Sequence, residues 1–117
     1  MSERELLELA AKAAGIGPLD FDYHKREGHG MYFGPRLPMA SGINAACYQY
    51  WRPLTDDGDA LRLAVKLHMQ VSITNHSVRA ETLPVHAVRV NDDDELAATR
   101  RAIVLAAARM GKDLSNQ

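Results

Sequence analysis

Apolar positions along this chain follow two rhythms, one helical and one alternating, and together they lay out the elements. Leu6, Leu7, Ala10, Ala11 and Ala14 recur at helical spacing, so the chain opens with an amphipathic helix. Ser2 stands where an N-cap belongs, and Glu5 three residues on completes a capping box. Gly15 follows where a left-handed cap is wanted, and Pro18 forbids easy continuation. A second helix is predicted from a cap at Thr55 or Asp56 to about His68. Leu61, Leu63, Ala64, Val65 and Leu67 make it apolar around its girth, so it is expected to be well buried. The run Asn91-Asp92-Asp93-Asp94-Glu95 caps a last helix. Its expected core face is Leu96, the stem of Arg100, Ile103, Ala107 and Met110, with Val104 flanking and Gly111 closing it.

The alternating rhythm marks strands. Phe21 and Tyr23 alternate with Asp20, Asp22 and His24, Gly28-His29-Gly30 reads as a turn, and Met31-Tyr32-Phe33 pairs back. Ala46 to Trp51 reads as another strand, ended by Pro53. Met69, Val71 and Ile73 alternate with polar neighbours, Asn75-His76-Ser77 is turn chemistry, and Val85 to Val90 supplies the return. Short links between strands make antiparallel hairpins rather than parallel crossovers. The predicted class is α+β in the order α-β-β-β-α-β-β-α, an antiparallel sheet of about four strands sandwiched by three helices. Nothing divides the chain, so residues 1–117 form one domain, with a loop or hairpin elaboration at 19–50 where Gly and Pro cluster.

Three segments carry a resemblance. Glu5-Leu6-Leu7-Glu8-Leu9-Ala10-Ala11-Lys12-Ala13-Ala14-Gly15 comes first. The run from Trp51 through Pro53-Leu54-Thr55-Asp56-Asp57-Gly58-Asp59-Ala60-Leu61-Arg62-Leu63-Ala64 to Leu67 comes second, and Arg100-Arg101-Ala102-Ile103-Val104 third. Together these resemble the phage ABA-sandwich domain family of small phage and prophage accessory proteins. The resemblance implies a sheet sandwiched by helices and a phage accessory role in the host cytoplasm. It implies no catalytic residues, and the segment from Phe21 to Tyr50 lies outside it.

Composition narrows the function. A formal net charge of −1 on 117 residues gives no long-range field for a polyanion, which argues against nonspecific nucleic-acid binding. The charged N-terminus lacks an apolar signal region and no apolar run is long enough to span, so neither export nor membrane insertion is expected. The single cysteine, Cys47, in the company of Ala45 and Ala46, reads as a buried thiol. Asp56-Asp57-Gly58-Asp59 lacks the ligand spacing of a calcium loop and reads as a helix start complementing its dipole. His24, His29, His68, His76 and His86 show no zinc spacing, so no metal and no cofactor is expected.

What stands out is a concentration of rings and guanidinium groups between Tyr23 and Arg52. Amphipathic rings and arginine make binding hot spots. The candidate ligand- or partner-binding residues are Tyr23, His24, His29, Tyr32, Arg36, Tyr48, Tyr50, Trp51 and Arg52. The expected function is non-enzymatic binding, an accessory or counter-defence factor that sequesters a host protein or a small, nucleotide-like ligand and is able to self-associate. The alternatives are a small metal-dependent hydrolase, using the histidines with Asp22 or Asp56, and a virion or assembly component.

Overall fold

A computed structural model of the chain describes residues 2–16, 18–23, 25, 32, 34–37, 50–75, 77–82 and 86–115. In chain order the described elements are helix α1 (Glu3–Ala13), helix α2 (Asp57–Lys66), strand β1 (Gln70–Ile73), strand β2 (Val78–Thr82), strand β3 (His86–Val90) and helix α3 (Glu95–Ser115).

The three strands form one antiparallel sheet in the order β1-β2-β3. Val71 pairs with Ala80 and Ala80 with Val88, while Val78 pairs with Val90 and Ile73. Cross-strand partners share a face. Val78, Ala80, Thr82 and Val88 are buried on the side that meets α3, whereas Ser72, Arg79 and Arg89 stand exposed on the other.

Helix α3 is the middle layer. One side lies on the sheet, while α1 and α2 pack on α3 rather than on the strands. Its buried residues therefore run around much of its girth: Ala98, Ala102, Ile103, Val104, Ala106, Ala107, Ala108 and Gly111. Small side chains let backbones approach closely, and Gly111 marks the closest approach. A methyl group there would enter the van der Waals envelope of the Leu9 carbonyl of α1. Where α1 and α3 run together, the Lys12 ammonium donates to Ser115 Oγ at 2.8 Å.

The ends of the helices follow from their sequence. Ser2 Oγ accepts from the Glu5 N–H at 3.2 Å. At the other end of α1, Gly15 takes φ +73°. Its N–H reaches the Lys12 carbonyl and that of Ile16 the Ala11 carbonyl, the paired bonds of a Schellman stop. Helix α2 ends the same way, with Met69 N–H on the Ala64 carbonyl and His68 N–H on the Val65 carbonyl. Here His68, a side-chain-bearing residue, occupies the left-handed position at φ 53°. Asp56 caps the start of α2 through the Asp59 N–H, and Asp94 caps α3 through the Ala97 N–H.

Several expectations change. All five residues of the α1 stripe are buried, but α2 is amphipathic: Ala60, Leu63 and Ala64 face the core while Leu61 and Val65 are exposed. Leu96 is 62% exposed, and α3 runs through Gly111 to Ser115, because Gly111 serves a helix crossing rather than a stop. Strand β2 was not expected. Val78-Arg79-Ala80-Glu81-Thr82 alternates correctly, but Ala and Glu are poor strand formers, and the β1 and β3 ladders carry it. The described residues 20–23 do not form the expected strand. Asp20 makes a single bridge to Arg36, its carboxylate accepts from the Asp22 N–H at 3.1 Å, and the backbone turns helical at Tyr23. The 28–30 turn, the return at 31 and 33, the strand over 46–49 and Cys47 lie outside the described residues. Thus the α+β class and the antiparallel sheet hold, with three described strands and α3 between the sheet and the other helices. No described helix is long and apolar enough to cross a membrane.

Three substitutions test this packing by equilibrium denaturation. Leu6→Ala is expected to cost about 2–4 kcal/mol, the usual core penalty. In an open helix Gly→Ala stabilises by about 1 kcal/mol, so Gly111→Ala reverses the sign and destabilises by about 1–3 kcal/mol through overpacking. His68→Gly is expected to stabilise by a few tenths to about 1 kcal/mol, relieving the left-handed residue.

Candidate ligand-binding site

Three short segments are tied side by side in front of α1 and α2. Asp20 and Arg36 exchange both backbone hydrogen bonds at 3.0 Å, Arg36 bridges to Tyr50, and the Trp51 N–H donates to the Pro35 carbonyl at 2.9 Å. This small ladder brings together residues separated by long stretches of sequence.

On it sits a stack of rings and guanidinium groups. Tyr23 is 1% exposed, and its hydroxyl donates to the Gly34 carbonyl at 2.8 Å. The Arg36 guanidinium lies 3.8 Å from the Tyr23 ring centre and 5.9 Å from that of Tyr50. Tyr32 stacks on Tyr23 at 6.0 Å and Tyr50 tilts against it at 5.9 Å. Arg52 lies 5.9 Å from the Tyr50 ring on the far side of the cluster. Tyr23, Tyr32, Arg36, Tyr50 and Arg52 are therefore gathered as the sequence suggested. Trp51 is adjacent but 5% exposed, a member of the hydrophobic core. His24, His29 and Tyr48 lie outside the described residues.

A cleft of about 370 Å³ opens beside this cluster, with Leu7, Pro35, Trp51 and Leu54 as apolar walls and Tyr32 and Arg52 at its polar side. Glu3, from the first turn of α1, supplies a carboxylate on the same lining. Partial burial raises the Tyr32 phenol above its ordinary range, with Tyr23 and Glu3 adding to the shift against Arg4. Tyr32 therefore stays a neutral phenol across physiological pH.

Arg52 is held from several directions. Its N–H donates to the Asp59 carboxylate at 2.9 Å, and its carbonyl accepts from Thr55 and Asp56. Its stem lies against Gly34, where φ is +104° and a Cβ would come within 2.5 Å of Arg52 Cγ. Only glycine satisfies both the backbone angle and the approach. Among the described residues no carboxylate pairs with the Arg52 guanidinium, and the residue is one of those that line the cleft.

The carboxylates of the 56–59 run have structural work. Asp56 caps α2. Asp57 pairs with Arg100 at 2.6 Å, while Arg100 Nε donates to the Leu54 carbonyl at 2.9 Å. Asp59, 8% exposed, accepts from Arg62 at 2.8 Å besides Arg52, and that bond raises the Arg62 guanidinium further above its ordinary value.

Gly34 and Asp59 were not among the residues expected at the site. Gly34-Pro35 was legible as a break in regular structure and Asp59 as a helix-start acid, but neither pattern says which side chain it will hold.

Comparison with protein families, curated proteins and solved structures finds no match to this chain.

Asp59→Ala removes the acceptor for a part-buried backbone N–H and the partner of Arg62, and is expected to cost about 1–3 kcal/mol. Trp51→Ala, a core truncation, is expected to cost about 3–5 kcal/mol. Thermal or denaturant unfolding of both variants checks the assignment of Trp51 to the core and of Asp59 to the Arg52 support.

Proposed function

We propose that this protein binds, without chemistry, a small anionic ligand with a flat ring, of the nucleotide-like class, in the cleft beside Arg52. One observation carries the reading: Arg52, its backbone held by Asp59 and its stem against Gly34, lines a largely apolar cleft with no carboxylate partner among the described residues. A guanidinium without a carboxylate partner is available to a phosphate or carboxylate, which its planar fork matches. The apolar walls and the Tyr32 ring suit a planar body, and Glu3 is placed to accept from ring N–H groups. A volume of about 370 Å³ falls at the small end of ligand pockets, the size of a mononucleotide rather than a larger cofactor.

The lining joins apolar walls to a few polar residues, Glu3, Tyr32, Arg52 and Thr55, an inventory that suits holding a ligand. In this reading the protein acts by occupancy. The resemblance to the phage ABA-sandwich family adds the setting, a phage accessory or counter-defence factor that removes a small signalling ligand in the host cytoplasm.

Calorimetric titration with a nucleoside monophosphate, the matching nucleoside and inorganic phosphate tests the proposal. The monophosphate is expected to bind more tightly than either part alone. Arg52→Ala is expected to weaken it at least about tenfold, a loss of roughly 1.4 kcal/mol, with the melting temperature unchanged and Arg52→Lys intermediate. Equal, weak heats for all three probes, or full binding by Arg52→Ala, would refute it.

A further inference from the structure

The outer edge of β1 has no strand beside it among the described residues. Which of its backbone groups point outward follows from the ladder. The Thr74 N–H donates to the Ser77 carbonyl at 2.9 Å, so 74 and 77 are a hydrogen-bonded pair. Pairs alternate along an antiparallel ladder, so Ser72 with Arg79 and Gln70 with Glu81 bond inward. Val71 and Ile73 therefore direct their N–H and C=O groups away from β2. Their side chains share the α3 face with Ala80 and Val78, yet Val71 is only half-buried and Ile73 is 59% exposed.

Sheet edges in monomeric proteins are guarded by charge, proline or bulges. Beyond its shortness, β1 carries no such guard. From Leu67 to Val78 the chain contains no Asp, Glu, Lys, Arg or Pro. The opposite edge differs, since β3 carries Arg89 and runs directly into Asp92-Asp93-Asp94-Glu95.

We infer that β1 is a self-association edge, pairing antiparallel with β1 of a second copy to make one continuous six-stranded sheet. A second copy fits for a reason of charge and symmetry. An isologous contact sets each strand against itself reversed, which puts like charges close together wherever a strand is charged, and β1 has none. The register that engages both outward residues of each strand pairs Val71 with Ile73 of the partner subunit, and Ile73 with Val71 of the partner subunit, with Ser72 on the two-fold axis as a non-hydrogen-bonded pair. Each exposed Ile73 then covers a half-buried Val71 across the interface, the apolar cross-strand contact that neither copy makes alone. Both α3 helices lie on the same face of the joined sheet.

Sedimentation equilibrium of the whole chain, from micromolar to millimolar concentration, is expected to show a reversible monomer–dimer equilibrium. Ile73→Lys, at an exposed position, is expected to raise the dissociation constant at least about tenfold while leaving the melting temperature of the monomer unchanged. The register has its own test in a Cys47→Ser background. At the two-fold the Ser72 Cα atoms stand about 4.5 Å apart, within disulfide range, so Ser72→Cys forms a covalent dimer under mild oxidation. Gln70→Cys faces Thr74 of the partner subunit and does not. A monomer at every concentration with no cross-link would overturn the inference and leave the edge to solvent or to the chain itself. A dimer insensitive to Ile73→Lys and uncrosslinked through Ser72→Cys would place the interface elsewhere.

Discussion

The backbone contact between α1 and α3, where Gly111 meets the Leu9 carbonyl, is the constraint on which the other arrangements rest. Helix α3 is covered by the sheet on one side and by two helices on the other, so its residues must be small nearly all the way round. That explains a core built so heavily from alanine, and why the side chains reaching across it come from the elements around α3. Alanine loses no rotamer freedom on burial, so this helix is well suited to a position where every side is in contact. The same seating aims α1. Leu7 and Glu3 reach the cleft beside Arg52 because α1 lies close against α3.

A second node, at Asp59, joins scaffold to site. One carboxylate oxygen accepts from the Arg52 backbone and the other from the Arg62 side chain, while the Asp59 N–H satisfies the Asp56 cap. The first turn of α2, the approach to it from Trp51 and the backbone at Arg52 are thus parts of one hydrogen-bonded unit. Burial of this carboxylate is tolerated because both oxygens have donors. The acids of this run serve architecture, and the site takes its charge from the arginine they leave unpaired.

Elements set by local chemistry could be read directly. The α1 stripe, its Ser2 cap and Gly15 stop, the Asp56 cap and the β1 alternation follow from spacing and from the few residues that tolerate those conformations. What escaped reading depended on long-range partners. Nothing local distinguishes Leu61 and Val65, which face solvent, from Leu63, which is buried. Strand β2 exists because two neighbours hold it, and Gly111 is a glycine because of Leu9, far away in the sequence. At the site, the clustering of tyrosines and arginines was legible as composition. Which arginine stacks within the cluster, as Arg36 does on Tyr23, and which lines the cleft, as Arg52 does, depends on contacts far apart in sequence, the Asp20–Arg36–Tyr50 bridges for one and Gly34 for the other.

The seam between α1 and α3 also sets the order in which the chain folds. Lys12 and Ser115 are 103 residues apart, and the stripe of α1 has its main partner in α3. Closing a loop of that length costs about 4 kcal/mol of chain entropy before any contact forms. The β1-β2-β3 meander with α3 is local by comparison and makes the natural nucleus. On the ribosome α1 emerges before α3, yet Leu6, Leu7 and Ala10 gain their seat only after α3 has been made. Until then the nascent chain carries an amphipathic helix whose apolar stripe is unburied, and α3 is what shields it.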